Sequence, residues 1–88
     1  MKSYAPAEFW HHYDRLPAHI QKLAHRSFAM FKQDPLYPAL HFKRIKNDIW
    51  SVRIGDHYRA LAKRRPDGWM WFWIGPHEEY NKLVRRVQ

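Results

Sequence analysis

The chain has no cysteine. That excludes a disulfide framework, a thiolate zinc site and a cysteine nucleophile. No run of about 18 apolar residues exists, so no segment qualifies as a membrane-spanning helix. The opening stretch Met1-Lys2-Ser3-Tyr4-Ala5-Pro6 has no apolar signal core, and the expected location is the cytoplasm. Repeats, low-complexity tracts and linkers are missing as well. With 88 residues there is room for one small core, so 1–88 is expected to be a single domain. Acidic residues are scarce, with 8 Asp and Glu against 16 Lys and Arg, and the formal net charge is +8. A surface this basic predicts polyanions or an acidic protein as partners, and without a spanning segment no membrane is expected.

Aromatic residues are plentiful, at 17% of the chain, which argues for a packed domain rather than a basic disordered tail. The charge is uneven. Residues 1–40 hold five basic and three acidic residues, a net of +2, and residues 41–88 hold eleven and five, a net of +6. Such asymmetry is compatible with an ordinary solvated surface, or it places a polyanion site on the C-terminal half.

The apolar spacing orders the elements. Pro6 marks a helix start with Glu8 in its first turn, and Phe9, Trp10, Tyr13 and Leu16 recur at helical period. Pro17 separates this helix from a second one, with Ile20, Leu23, Ala24, Phe28 and Phe31 on one stripe, which stops before Asp34-Pro35. A junction this short implies a helical hairpin. Beyond Pro38 the period becomes two. Trp50, Val52 and Ile54 alternate with Ser51 and Arg53, and Tyr58, Ala60 and Ala62 with Arg59, Leu61 and Lys63. A three-residue loop, Gly55-Asp56-His57, sets Ile54 opposite Tyr58 and Arg53 opposite Arg59, so that the apolar residues share one face. A two-residue loop would mix the faces. Residues 40–46 predict a further strand, Lys2–Tyr4 a short edge, and Trp69–Ile74 a central strand covered on both faces. A last helix starts at Gly75-Pro76, with Glu78 and Glu79 early and Lys82, Arg85 and Arg86 late, as the helix dipole favours. The fold class predicted is α+β: an N-terminal helical hairpin on a twisted antiparallel sheet of about four strands, then a short C-terminal helix, with the helices on one sheet face.

Four residues stand out for chemistry. Arg53 and Arg59, side by side on one face, repel each other unless an anion or a carboxylate lies near. They are either snorkelling surface arginines or a phosphate clamp. His77, at the start of the last helix and followed by Glu78 and Glu79, is either a capping residue or a proton carrier. Tyr80 is one turn further on and can share its face, or simply pack on the sheet. His57, in the turn beside Arg59, is a weaker proton or stacking group. The tryptophans of the last strand are read as core before base-stacking surface. The seven histidines show no HxxxH or HExxH spacing, so neither a metal nor another cofactor is expected.

Two segments carry a family resemblance. Trp50-Ser51-Val52-Arg53-Ile54-Gly55-Asp56-His57-Tyr58-Arg59-Ala60-Leu61, followed by Trp71-Phe72-Trp73-Ile74-Gly75-Pro76-His77-Glu78-Glu79-Tyr80-Asn81-Lys82-Leu83, resembles the RelE/ParE toxin superfamily of type II toxin–antitoxin systems. The nearest likeness is to the short, hairpin-first branch termed RelE-like or cytotoxic translational repressor, and it extends over essentially the whole chain. It implies helices on a twisted antiparallel sheet, an endoribonuclease that cuts mRNA in the ribosomal A site, and a neutralising antitoxin. Under the resemblance, Arg59 matches the arginine of a Tyr-Arg-Leu-type segment, Arg53 the basic residue of the preceding strand, His77 the histidine of Gly-x-His, and Tyr80 a C-terminal tyrosine. Ser51 stands where some members carry a lysine.

Metal-free RNA cleavage needs a base for the ribose 2′-hydroxyl, cationic donors for the phosphorane and an acid for the leaving oxygen. The expected roles are phosphate stabilisation for Arg53 and Arg59, proton transfer for His77, and substrate orientation or assistance for Tyr80. Lys43, Arg44, Lys46, His57 and Lys63 are the expected RNA-binding residues, on mRNA and ribosomal RNA. The ParE branch shares the fold and acts on DNA gyrase without this set. A gyrase inhibitor and an inactive RelE-like protein therefore stay open beside the nuclease. A plain nucleic-acid-binding module ranks last, since no recognition helix is evident. An acidic antitoxin is the expected protein partner.

Overall fold

The computed structural model describes residues 2–87. Its elements are β1 (Lys2–Tyr4), α1 (Ala7–Tyr13), α2 (Ala18–Gln33), a 3-10 turn (Pro38–Leu40), β2 (Lys43–Lys46), β3 (Ile49–Ile54), β4 (Tyr58–Arg65), β5 (Gly68–Pro76) and α3 (His77–Val87). Pro6 and Pro17 occupy the N-cap positions of α1 and α2, and neither offers a side-chain cap. The lack of a backbone N–H in proline does no harm there. α2 runs back past α1, and rings join them: Phe9 lies 5.8 Å from Phe28 and Tyr13 5.7 Å from His25.

The five strands lie in the order β1-β5-β4-β3-β2. Three neighbouring pairs are antiparallel, but β1 pairs parallel with β5, so the expected antiparallel sheet of four strands is a mixed sheet of five. The reason lies in Gly68. A Cβ there would stand 1.9 Å from the Lys2 carbonyl oxygen, so only glycine lets β1 approach this closely.

The β3–β4 register is the one the buried face demands, with Ile54 opposite Tyr58, Arg53 opposite Arg59 and Val52 opposite Ala60. Gly55 opens the three-residue loop at φ +62°, the left-handed conformation glycine adopts without strain. Val52, Ile54, Ala60, Ala62, Trp69, Trp71 and Ile74 form one core with Phe9, Ile20, Ala24 and Phe31 of the helical hairpin.

One irregularity redistributes the tryptophans. Leu61 faces Trp73 and Ala62 faces Trp71, which leaves Phe72 as an extra residue in β5. Such a bulge breaks the alternation. Trp69 and Trp71 stay under the hairpin, while Trp73 turns to the other face and packs with Leu61 and Tyr80. The bulge thus gives that second face an apolar floor. α3 follows β5 without a loop and covers the floor with Tyr80, Leu83 and Val84, a stripe at three- and four-residue spacing. The helices therefore occupy both sheet faces, not one: the hairpin on one side and α3 on the other.

Candidate active site

The α3 face of the sheet also carries Arg53 and Arg59. Cross-strand partners share a face with their β-carbons about 5 Å apart. The two guanidiniums are held differently. The Nε of Arg53 donates to the Gly55 carbonyl at 3.0 Å, and its terminal nitrogen pairs with the Asp56 carboxylate in the same turn. Arg59 donates from Nη1 to the Tyr58 carbonyl at 2.8 Å. Its guanidinium also lies over the Tyr80 ring, 6.0 Å from the centroid. Burial, and then the charge of Arg53, pull the Arg59 pKa below its ordinary value. A guanidinium remains a cation at neutral pH regardless. An anion between the two would relieve that strain.

The backbone joins this hairpin to the start of α3, where the His77 N–H donates to the His57 carbonyl at 2.7 Å. The His77 ring stacks on Tyr80, with centroids 5.7 Å apart and planes at 28°. The Asn81 amide nitrogen lies 3.3 Å from the imidazole Nδ1, which leaves Nε2 as the nitrogen for a ligand. Tyr80 itself is buried, and its hydroxyl donates to the Ser51 hydroxyl at 3.3 Å. One cluster therefore holds a guanidinium, an imidazole and a phenol ring, with a second guanidinium, Arg53, on the neighbouring strand. Cations to neutralise a phosphate beside a proton-carrying ring are the groups phosphodiester chemistry uses.

Arg59, His77 and Tyr80 are thus brought together, with His57 attached through its backbone. Arg53 stands opposite Arg59 by register, but its guanidinium turns onto Gly55 and Asp56 and lines a cleft with Arg26, Ser27 and Met30 of α2. The other expected RNA-binding residues lie apart. By register Lys43 (opposite Ser51), Lys46 (opposite Ile49) and Lys63 are on the same face as the cluster, towards the β2 edge. Lys63 pairs with Asp48 at 3.9 Å. Arg44 faces Trp50 and so lies on the hairpin side of the sheet.

Four neighbours escaped the sequence reading of roles. Asn81 follows His77 by four residues on a helix, and Asp56 follows Arg53 by three across a turn; both spacings were available as signals. Ser51 was legible as a face-mate of Arg53 but not as a partner of Tyr80. Arg15 lines a cleft with His12, Pro76 and Glu79, between the end of α1 and the start of α3, and only the tertiary fold brings it there. Among the described residues, no group of three or more His, Asp or Glu is gathered as a metal site.

A helical hairpin and a C-terminal helix on opposite faces of a five-stranded sheet define the fold. The chain belongs to the ParE-like toxin domain family, whose model matches residues 18–82. Solved structures agree on the fold. The toxin–antitoxin complex RelB-RelE of Methanococcus jannaschii aligns with a TM-score of 0.73 at 17% identity, over 91% of this chain and 96% of that one. The YoeB/ParE toxin of Agrobacterium tumefaciens aligns with a TM-score of 0.67 at 18% identity, over 88% and 99%. The isolated RelE toxin of E. coli gives 0.63 at 12%, over 98% and 97%. Among curated proteins none matches.

Proposed function

We propose that this protein is the toxin of a type II toxin–antitoxin pair and a metal-independent endoribonuclease that cuts mRNA on the ribosome. The observation that carries the reading is that Arg59 and His77 both lie against the Tyr80 ring, with Arg53 the cross-strand partner of Arg59. A scissile phosphate placed between the arginines meets two forked donors as charge grows on its oxygens. Nε2 of His77 takes the 2′-hydroxyl proton or delivers one to the leaving 5′-oxygen, solvent water serving the other transfer, and Tyr80 carries both His77 and Arg59 on its ring. Lys43, Lys46 and Lys63 extend positive charge along the same face for flanking RNA phosphates.

An acidic antitoxin is the proposed protein partner. The basic excess of the chain calls for it, and the archaeal structural relative was solved with its antitoxin. The family model, described as ParE-like, favours a second reading in which the protein inhibits DNA gyrase. One comparison separates the two readings. Purified protein is added to a reconstituted translation reaction and, in parallel, to a gyrase supercoiling reaction. Codon-phased mRNA ends with supercoiling unaffected support the nuclease. Intact mRNA with supercoiling blocked supports the gyrase reading.

A further inference from the structure

We infer that Ser51 is a positioning residue that anchors the Tyr80 hydroxyl and thereby fixes where His77 and Arg59 stand; the inference rests on the nuclease reading for its consequence and on geometry for its existence. Ser51 is 2% exposed and is the one buried polar side chain of the core among the described residues. Around it the α3 face is apolar, with Leu61, Trp73 and Tyr80 in one cluster. A hydroxyl confined there without a partner would destabilise the fold, and the Tyr80 hydroxyl supplies one.

The consequences run outward from that bond. Tyr80 has its hydroxyl directed into the sheet and its ring directed at the site. One neighbour of the ring is the stacked His77 imidazole and another is the Arg59 guanidinium. The phenol O–H is committed to Ser51 and shielded, so it is not presented to a substrate. Tyr80 then acts through its ring, as a platform, and Ser51 acts through Tyr80. His77 is left as the proton-carrying group at the phosphate. Turning the Tyr80 ring even slightly would shift both His77 and Arg59, and misplacement by about 1 Å can cost on the order of 100-fold in rate.

The test uses the full chain with Ser51→Ala, Ser51→Thr and Tyr80→Phe. The first readout is NMR of the seven histidine rings. The stacked Tyr80 ring displaces the His77 ring-proton resonances, and this signature depends on position rather than on activity. The expected result is that Ser51→Ala and Tyr80→Phe move the His77 resonances, that the remote rings of His19, His25 and His41 do not move, and that Ser51→Thr, which keeps the hydroxyl, stays close to wild type. Unmoved His77 resonances in folded Ser51→Ala and Tyr80→Phe would overturn the inference. The second readout is the steady-state split on ribosome-bound mRNA. Ser51→Ala is expected to lower kcat by roughly 10- to 100-fold with little change in KM, and Ser51→Thr to restore it. An unchanged kcat in Ser51→Ala overturns the positioning role. A wild-type protein that leaves mRNA uncut sinks the nuclease reading alone, because the NMR readout still decides whether Ser51 positions Tyr80 and His77.

Discussion

At the scale of single residues, the two arginines do different work although they face each other. Arg53 is tied by Gly55 and Asp56, so part of its charge is already answered. Arg59 has a carbonyl and an aromatic ring, no carboxylate among the described residues pairs with it, and burial together with Arg53 lowers its pKa. Its folded-state pKa is therefore below its unfolded one. The cation is penalised in the fold at all pH values near neutral, and that penalty fades only as pH climbs towards the unfolded value. No pH dependence of stability near neutrality follows from Arg59, but anion binding there should stabilise. Phosphate is expected to raise Tm in the wild type and to do so far less in Arg59→Ala, by differential scanning fluorimetry; ligand at about 100 times its Kd adds on the order of 2.7 kcal/mol. An equal rise in both proteins would place the anion elsewhere. In catalysis, Arg59→Ala is expected to lower kcat on ribosome-bound mRNA by about 10²–10³-fold, the usual effect of deleting one donor to a developing charge. Arg59→Lys should recover only part, since an ammonium lacks the planar fork.

At the scale of elements, the periodicity of the sequence carried the β3–β4 hairpin down to its register, because one face there is buried and a one-residue slip would expose every apolar side chain. That register already sets Arg53 beside Arg59. Three features were not legible, for separate reasons. The parallel pairing of β1 joins residues 2–4 to 68–70, and three exposed residues carry no alternation to read. The bulge at Phe72 falls inside a run that is apolar at every position, where a shift of face leaves no trace in the pattern. The placement of α3 follows from that bulge. The site was legible as residue types on strand and helix starts, but the Tyr80–Ser51 bond required the second core to be seen. Two substitutions probe these elements. Gly68→Ala sets a side chain against the Lys2 carbonyl at φ +151° and should destabilise by about 1–3 kcal/mol in urea unfolding. Trp71→Ala removes a ring packed between Phe28 and Phe31, at 4.9 and 5.2 Å, and should lose about 3–5 kcal/mol. In a domain with about 5–15 kcal/mol in total, that is enough to approach unfolding. Wild-type urea midpoints in either variant would contradict the packing described here.

At the scale of the whole molecule, a net charge of +8 is distributed so that the α3 face of the sheet holds Lys43, Lys46, Arg53, Arg59 and Lys63. Binding of single-stranded RNA should weaken with salt, and the slope of log K against log salt is about 0.7 per phosphate neutralised. Lys43→Ala with Lys46→Ala is expected to flatten that slope by roughly 1.4 while leaving kcat at saturation intact, measured by fluorescence anisotropy and by single-turnover cleavage. An unchanged slope would take the RNA off the β2 edge. The same basic face would attract an acidic antitoxin, so partner binding and RNA binding are expected to compete. In the proposed reaction Arg53, Arg59 and His77 cleave RNA, and the positions of the cut mRNA ends decide it. A defined mRNA is translated in a reconstituted system with wild-type protein, Arg59→Ala and His77→Ala, and its ends are read by primer extension. New ends in phase with codons are expected for the wild type, strongly reduced in both variants. Wild-type cleavage that persists undiminished in folded Arg59→Ala and His77→Ala, or no cleavage by the wild type, would contradict that reaction.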